Sequence, residues 1–432
     1  MKKKGLFLLF DVVLIAAIGA MLWQLNFNRA ITASANGSLT AVQAKEDADQ
    51  LVSIIESTHP EFSLNDIQPG YPEAKKSFLS AASKKMSYGD FAWLASAYLA
   101  SLRDGHTSIA PTQSNEMLQG SYRMTENGLF EANANGTITG NKVTAIGGLP
   151  ISQIIAAVSR YEVNENEAGR MRNGTMWSTY RPILERAGVD CSKHTISVTE
   201  QSGAQTISKE VPFQSRNPYS VYDSSDIVDS RRIGDIFYIG LHDCKLGPDV
   251  DRTAESLRQA VAGGVTRVII DVRNNPGGAS RACEKLLNVI GMQIPQYGMY
   301  ARKSPLAVAQ LGNMDGWNTN IKPDAAAARK TLHISLAVLT NEFTFSSATM
   351  MAVFAQDGKL GTVIGYPSAN SPSSYGDVLS FQLNNSGLKG QVSYKRWLRP
   401  DVNADQHILH PDIVVPIGGD ALQTAVNYLE SK

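Results

Sequence analysis

The sequence predicts an α/β protein whose main sheet is largely parallel. From residue 231 onward, short apolar stretches typical of strands alternate with stretches that have the apolar periodicity of helices. Alternation of this kind is produced by right-handed β-α-β crossovers. The continuous apolar run in TRVIIDV is typical of a strand that is covered on both faces. The strands are expected in DIFYIGLHDC, TRVIIDVRNN, HISLAVLTN and GTVIGYP, and the helices in DRTAESLRQAVAGG, ASRACEKLLNVIG and SSATMMAVFAQDG.

Two different regions are predicted before this core, which is assigned to residues 231–432. Residues 37–110 are expected to form a helical subdomain, because AVQAKEDADQLVSIIES and FAWLASAYLASL place apolar residues at helical spacing. Pro60 should end the first of these helices, and Gly105 suits the end of the second. Residues 111–230 are richer in Gly, Asn, Ser and Thr and predict a small, mostly β insert with strands at KVTAIGG and HTISVTE. Late in the core, LSFQL and QVSYKRWL flank a turn and predict a hairpin.

Composition excludes some classes of function. Lys plus Arg and Asp plus Glu both number 40, so the chain lacks the basic excess typical of proteins that bind nucleic acid. The cysteines, Cys191, Cys244 and Cys283, are widely spaced and form no CxxC pair, so no metal site is predicted. They allow either one disulfide or three buried thiols. No cofactor is expected.

The N-terminus predicts contact with a membrane. MKKK precedes a mostly apolar run, and residues 6–27 are close to the roughly 20 residues that span a bilayer as a helix. The lysines should stay on the cytoplasmic side, which puts the bulk of the chain outside the cytoplasm. The favoured assignment is therefore a single-pass anchor within residues 1–36. Ala33-Ser34-Ala35 allows the alternative of a cleaved signal peptide and a secreted product.

Two serines mark the junction between a predicted strand and a predicted helix. In TNEFTFSSATMMAVF, Ser346 and Ser347 stand at the expected N-terminus of the helix, where backbone N–H groups lack partners inside the helix. A serine placed there can expose its hydroxyl at the edge of the sheet, and the next N–H can stabilise an oxyanion. The simpler alternative is an N-cap, a position at which serine is favoured.

Two further stretches could contribute to the same chemistry. DVRNNPGG also leads from a buried strand into a helix, and Gly277 and Gly278 permit close approach of a ligand to the backbone. LRDGHT contains His106, whose side chain is suited to proton transfer near neutral pH. Taken singly, each stretch also has a structural explanation as a tight turn or a surface histidine.

In this order and on this framework, the motifs resemble the C-terminal processing, or tail-specific, serine peptidase family. The matching stretches are LxDGHT, DVRNNPGG, the serine elbow and the late PDIVV. The resemblance implies a crotonase-like core, with Ser346 as the nucleophile and an oxyanion hole formed by the backbone N–H of Ser347 together with that of Gly277 or Gly278. Gly147 to Ile151 are faintly similar to the end of the PDZ module that many members carry, so the insert could be PDZ-like.

The choice of the base and the acid depends on one position at which the sequence differs from the family pattern. Many members have a lysine 25 residues after the serine, but that position is Ser371 here, and residues 360–388 contain no lysine. Lys389 or Lys395 would have to reach back from the hairpin to replace it. The chain is therefore more similar to the tricorn-like branch, which uses a histidine and a late acid. This implies His106 as base and Asp401 as acid.

Several alternatives stay open at this stage. The acid could instead be one of three other aspartates: Asp377, Asp104 and Asp405. Asp412, Asp271 and Arg273 are predicted to be structural. The expected function is a membrane-anchored serine endopeptidase that acts on polypeptides outside the cytoplasm. An inactive homologue that binds peptides, or other acyl chemistry on the same fold, would be the competing functions.

Overall fold

The computed structural model describes residues 37–109, 115–133 and 136–432. The expected anchor at residues 6–27 and the cleavage-site sequence at residues 33–35 lie outside these ranges. Within them, no helix has the length and apolar character that crossing a bilayer requires. The chain divides into two compact units. The first contains the described residues up to 109 with Tyr300–Thr319 and Tyr375–Arg396, and the second contains the described residues of 115–299 with Asn320–Ser374 and Trp397–Lys432.

The described helices and strands are numbered in chain order. The helices are α1 Ala41–Thr58, α2 Glu61–Leu64, α3 Tyr71–Ala81, α4 Tyr88–Leu99, α5 Ile151–Tyr161, α6 Glu167–Trp177, α7 Arg181–Ala187, α8 Pro248–Ala262, α9 Ser280–Val289, α10 Pro305–Leu311, α11 Ser347–Asp357 and α12 Ala421–Glu430. The strands are β1 Ser38–Leu39, β2 Met86–Ser87, β3 Ser108–Ile109, β4 Glu116–Leu118, β5 Ser121–Thr125, β6 Gly128–Ala132, β7 Ile138–Ile146, β8 Leu149–Pro150, β9 Thr195–Ser202, β10 Gln205–Ser215, β11 Val228–Ile233, β12 Ile236–Leu241, β13 Arg267–Asp271, β14 Met292–Gln293, β15 Gly298–Ala301, β16 Asn320–Ile321, β17 Arg329–Lys330, β18 Ser335–Thr340, β19 Thr362–Gly365, β20 Tyr375–Gln382, β21 Lys389–Leu398 and β22 Ile413–Val414.

The first unit is helical at its N-terminal end, as predicted. Helix α1 starts with a capping box at Thr40 and ends just before Pro60. Helix α4 runs into a 3₁₀ turn, and the left-handed residue that ends this turn is Arg103 and not the expected Gly105. The predicted hairpin is formed by β20 and β21, and β3 pairs with β21. The residues that follow α4, including His106, thus lead directly into this sheet.

The second unit contains the predicted β-α-β sheet. Among the described residues its order is β11-β12-β13-β18-β19-β22, and only the pairing of β11 with β12 is antiparallel. Apolar residues of α8, α9 and α11 pack on one face, while α12 packs on the other. Both faces are thus covered, which explains the uninterrupted apolar runs of the central strands.

Residues 115–230 are a mixture of strands and helices. Strands β4 to β10 form an antiparallel sheet, which matches the prediction for KVTAIGG and HTISVTE. Helix α5 follows the Gly147-Gly148 turn, and α6 and α7 are further helices in a region predicted to be mostly β. The three cysteines are buried thiols, and the sulfurs of Cys244 and Cys283 are 3.6 Å apart.

Candidate active site

Two loops lie side by side at the carboxyl ends of neighbouring strands. Strands β13 and β18 pair in parallel, so residues 272–279 and 341–346 follow them at the same edge of the sheet. The backbone joins the two loops directly, because the N–H of Phe345 donates to the carbonyl of Asn275 at 3.0 Å. The sheet therefore brings the predicted glycine loop and the predicted serine elbow together.

Neutral side-chain amides hold these loops in place. The Oδ1 of Asn341 accepts the N–H groups of Asn274 at 3.0 Å and Phe343 at 3.1 Å, and its Nδ2 donates to Oδ1 of Asn274 at 2.7 Å. In the first loop, Nδ2 of Asn275 donates to the carbonyl of Leu241 at 2.7 Å. Buried backbone groups in an irregular loop need such partners. The amides supply them without introducing a charge.

Ser346 precedes α11 but does not cap it. Its side chain accepts no hydrogen bond from the first turn, and its backbone has φ 53° and ψ −126°. A positive φ is unusual for a residue with a Cβ atom and indicates local strain. The N–H of Ser346 donates to Oδ1 of Asn370 at 3.1 Å. The hydroxyl of Ser347 is used differently, since it donates to the carbonyl of Gly278 at 2.7 Å. The simple N-cap explanation therefore does not fit Ser346.

The glycine loop packs directly against the serine. A Cβ atom on Gly277 would lie 2.5 Å from Cβ of Ser346 and 3.0 Å from the backbone nitrogen of Ser347, and Gly277 has φ +101°. The N–H of Gly277 already donates to Oδ1 of Asn275 at 2.7 Å. The N–H of Gly278 has no acceptor within the described part of the chain. Of the two glycines, Gly278 is thus the one with an amide hydrogen left for an oxyanion.

A buried carboxylate supports Asn370 from the other side. Oε2 of Glu165 accepts Nδ2 of Asn370 at 2.8 Å and the N–H of Ser371 at 2.7 Å. Ser371 occupies the position at which many members of the resembled family have a lysine. The segment before α6 therefore supplies the carboxylate that accepts hydrogen bonds from Asn370 and Ser371.

His106 lies in the first unit, next to Asp104. The carboxylate of Asp104 is buried, and its Oδ1 accepts the N–H of His106 at 2.9 Å and lies 3.7 Å from His106 Nδ1. Its Oδ2 accepts the hydroxyl of Thr107 at 2.5 Å and is 3.2 Å from Nε2 of His59. Burial would raise the pKa of Asp104, but its close contacts with the imidazoles of His106 and His59 outweigh burial and hold this pKa well below its usual range. Asp104 is therefore an anion that faces both imidazoles.

A second buried acid stands behind this group. Oε2 of Glu61 is 3.8 Å from Nδ1 of His59, and neither oxygen of Glu61 has a hydrogen-bond partner among the described residues. Burial, together with the negative charges of Asp104 and Asp66, raises the pKa of Glu61 to about 8. Ionisable groups thus surround His59 on both sides.

A protein-family model matches the core of the second unit. Residues 235–415 match the model described as peptidase family S41. This confirms the resemblance to C-terminal processing peptidases and the predicted enzyme class, a serine peptidase. No curated protein sequence matches the chain.

The chain is also similar to solved structures. Mature CPAF superimposes with a TM-score of 0.63 at 13% identity, over 90% of this chain and 96% of that one. CPAF complexed with lactacystin gives a TM-score of 0.64 at 14% identity, over 90% and 97%. The photosystem II D1 C-terminal processing protease gives 0.45 at 13% identity, over 87% and 93%. At these identities, the CPAF matches establish the mixed α/β fold of the peptidase.

Asp401, the acid expected from the sequence, lies at the other end of the nucleophile helix. Its N–H donates to the carboxylate of Asp357, the last residue of α11, at 2.9 Å. At 1.5 Å per residue, the length of this helix separates that point from Ser346 by roughly 16 Å. One imidazole with a hydrogen bond on each side spans only about 8 Å. The carboxylate of Asp401 accepts the N–H of Asn403 at 2.9 Å, so its visible role in the peptidase is to hold a turn.

Two other candidate acids have partners of their own. Oδ2 of Asp405 is 3.2 Å from Nε2 of His410, and its Oδ1 accepts backbone N–H groups of its own turn. Oδ2 of Asp377 is 3.4 Å from Nζ of Lys395. Of the acids considered, Asp104 is the one that contacts His106 in the same unit of the peptidase.

The residues predicted to be structural have that role. Nε of Arg273 donates to both oxygens of Asp271 at 2.9 and 3.1 Å, and the hydroxyl of Tyr238 donates to Asp271 at 3.0 Å. The carboxylate of Asp412 accepts the N–H of Val363 at 2.7 Å. These contacts fix a loop and a strand of the peptidase core.

Sequence reasoning missed three residues that support the site. Asn370, Glu165 and His59 lie in stretches with no motif, and their partners are distant in sequence: 205 residues separate Glu165 from Asn370. Ser371 marked this loop only indirectly, because it stands where the family pattern has a lysine. For Glu165 and His59, the local sequence contains no comparable signal.

Proposed function

We propose that this chain is a serine endopeptidase that cleaves polypeptides through an acyl-enzyme formed on Ser346. The observation that carries the proposal is the backbone of Ser346. It is held at φ 53° without capping its helix, between the glycine loop and the first amide of α11. Strain of this kind is typical of functional positions and costs about 1–3 kcal/mol. An N-cap serine would not require it.

In the proposed mechanism His106 is the general base. Its imidazole takes the proton of the Ser346 hydroxyl as the oxygen attacks the substrate carbonyl, and later returns a proton to the leaving amine. Asp104 holds the imidazole tautomer and stabilises the imidazolium. The N–H groups of Ser347 and Gly278 receive the oxyanion. Water then hydrolyses the acyl-enzyme.

The proposed location is the outer face of a cell membrane. The support is the N-terminal sequence, in which three lysines precede the apolar residues 6–27. Polypeptides outside the cytoplasm would then be the substrates. Fractionation of cells that express the full chain tests this part, because a carbonate-resistant membrane pellet is expected and a soluble chain would contradict the anchor.

The nucleophile is tested with a fluorophosphonate probe and a casein substrate. The full chain should be labelled and should cleave casein, and Ser346→Ala should lose both activities. Ser347→Ala keeps its backbone N–H and should still be labelled. His106→Ala should slow labelling by about 10²- to 10⁴-fold, the usual contribution of general base catalysis.

Two outcomes would contradict the proposal. Labelling of Ser346→Ala at the wild-type rate would mean that another residue reacts. A folded wild-type chain that is never labelled but binds peptides would favour the inactive, peptide-binding alternative.

A further inference from the structure

We propose that Glu165 is a positioning residue for the nucleophile and acts through Asn370. The inference deepens the proposed function and rests on Ser346 being the nucleophile. Glu165 precedes α6, far from the serine elbow in sequence, and belongs to the segment predicted as a mostly β insert. The proposal therefore assigns this segment a part in the chemistry.

The first argument is burial. Glu165 is 8% exposed and Asn370 is 2% exposed. A buried carboxylate is unfavourable unless hydrogen bonds compensate for the water that it loses. Oε2 of Glu165 receives two such bonds, from Nδ2 of Asn370 at 2.8 Å and from the N–H of Ser371 at 2.7 Å. The carboxylate thus acts as an acceptor for two consecutive residues.

The second argument is the orientation of the Asn370 amide. An amide group has one accepting oxygen and one donating nitrogen. Because Glu165 accepts from Nδ2, Oδ1 of Asn370 has to point the other way. There it accepts the N–H of Ser346 at 3.1 Å. Glu165 therefore selects the amide orientation in which Asn370 can hold the serine.

The third argument is strain. The backbone of Ser346 has φ 53° and ψ −126°, a conformation that persists only where the surroundings enforce it. The bond from its N–H to Asn370 is one of these restraints. Without Glu165 the amide can turn, the restraint is lost, and Ser346 can relax away from its reactive geometry. Loss of Glu165 should then lower the rate of reaction at Ser346 more than it lowers the stability of the fold, because relaxation of Ser346 releases part of the strain.

The neighbouring residue explains how Glu165 is itself held. Oδ1 of Asn166 caps α6 by accepting the N–H of Gly169 at 2.9 Å. Its Nδ2 donates to the carbonyls of Ser368 and His407, both at 3.1 Å. Glu165 and Asn166 together fasten the start of α6 to the segment that contains Asn370. This is a rigid attachment for a residue that has to orient another one.

The test compares variants of the full chain by their rate of fluorophosphonate labelling, with kcat and KM for a peptide substrate and the melting temperature. Glu165→Ala should label about tenfold more slowly, the effect of one lost hydrogen bond in the transition state, with KM little changed. Glu165→Gln keeps an accepting oxygen and should be much closer to wild type. Glu167→Gln, two residues further on in an exposed ion pair with Arg170, is the matched control and should match wild type.

A double-mutant cycle separates positioning from a general loss of structure. Asn370→Ala should slow labelling, and adding Glu165→Ala should slow it no further, because both residues act through one bond. Additive effects would overturn the proposal, as would wild-type labelling of Glu165→Ala. Glu165→Gln as slow as Glu165→Ala would also overturn it, because charge would then matter more than the accepted bonds.

The design keeps this inference separate from the proposed function. If wild type is not labelled, or if Ser346→Ala is labelled equally well, the proposed function fails. If wild type is labelled normally and the Glu165 variants have no effect, only the positioning role fails. Should Glu165→Ala not fold, Glu165→Gln and Asn370→Ala carry the same comparison.

Discussion

The proposed nucleophile and the proposed base are supported by different kinds of groups. Around Ser346 the loops are held by Asn275, Asn341 and Asn370, which stay neutral at every ordinary pH. Around His106 the supporting groups are the ionisable side chains of Asp104 and His59, with the buried carboxyl group of Glu61 behind them. The difference indicates that the groups in direct contact with the nucleophile loops do not titrate, although the carboxylate of Glu165 lies behind Asn370, and that the main pH effects should originate on the base side.

The largest effect is expected from Gly277→Ala on the nucleophile side. The added Cβ would lie 2.5 Å from Cβ of Ser346, and Gly277 has φ +101°, so the glycine loop or the serine has to move. Misplacing an oxyanion donor costs about 10²- to 10³-fold in kcat. Peptide hydrolysis should fall by this factor, and equally at pH 6 and pH 8.

Gly203→Ala is the control for this change. Gly203 has φ +59° in the β9–β10 turn, and an added Cβ would contact nothing within 4 Å. Gly203→Ala also forces a side chain into a left-handed backbone conformation, but away from Ser346. Its activity should therefore stay within about twofold of wild type, while its free energy of unfolding falls by roughly 1 kcal/mol. Normal activity of Gly277→Ala would mean that the glycine loop does not line the reacting centre.

A smaller but diagnostic effect is expected on the base side. Asp104→Asn should lower kcat/KM by about 10²-fold, because an amide does not stabilise the imidazolium as a carboxylate does. Asp401→Asn, in a turn at the far end of α11, should change kcat/KM by less than about threefold. Steady-state peptide hydrolysis by the two variants measures these changes in kcat/KM. A larger loss in Asp401→Asn than in Asp104→Asn would make Asp401 the acid.

Asp104→Asn should also change the response to acid. The pKa of Asp104 is held well below its usual range in the folded protein. The stabilisation is therefore present above the unfolded value and is lost as the pH falls through the folded one. Acid unfolding of wild type should include this loss, and the variant should lack it.

The smallest effect is expected from Glu61→Gln, as a change in the pH dependence of stability. The pKa of Glu61 is raised from 4.5 to about 8, so between these values the folded protein holds a proton that the unfolded chain releases. The free energy of unfolding should therefore fall as pH rises through this window and level off above it. Glutamine does not titrate, so the variant should be the more stable one at pH 9, by about 1–3 kcal/mol.

Urea unfolding at several values between pH 5 and pH 9 measures this difference. Glu73→Gln, at an exposed position of α3, should keep the wild-type slope. An unchanged slope in Glu61→Gln would show that Glu61 is not the titrating group. The contrast between the surroundings of the proposed base and those of the proposed nucleophile would then rest on Asp104 alone.

The sequence by itself determined the parts of this protein that depend on local pattern. Apolar periodicity gave the β-α-β core, helices α1 and α4 and the β20–β21 hairpin. Parallel strands place their carboxyl ends at one edge, so the meeting of the Gly277 loop with Ser346 could also be expected. Short motifs sufficed here because each lies on one strand–loop–helix unit.

Only the tertiary structure decided which side chains support these motifs. Asp401 follows a suitable motif, yet the length of α11 separates it from Ser346. Glu165 and His59 follow no motif, yet they lie within hydrogen-bond distance of Asn370 and Asp104, respectively. Such contacts join segments from distant parts of the chain, and their free energy depends on burial and on exact hydrogen-bond geometry. Neither quantity is encoded in local spacing, because both arise only when the whole chain has packed.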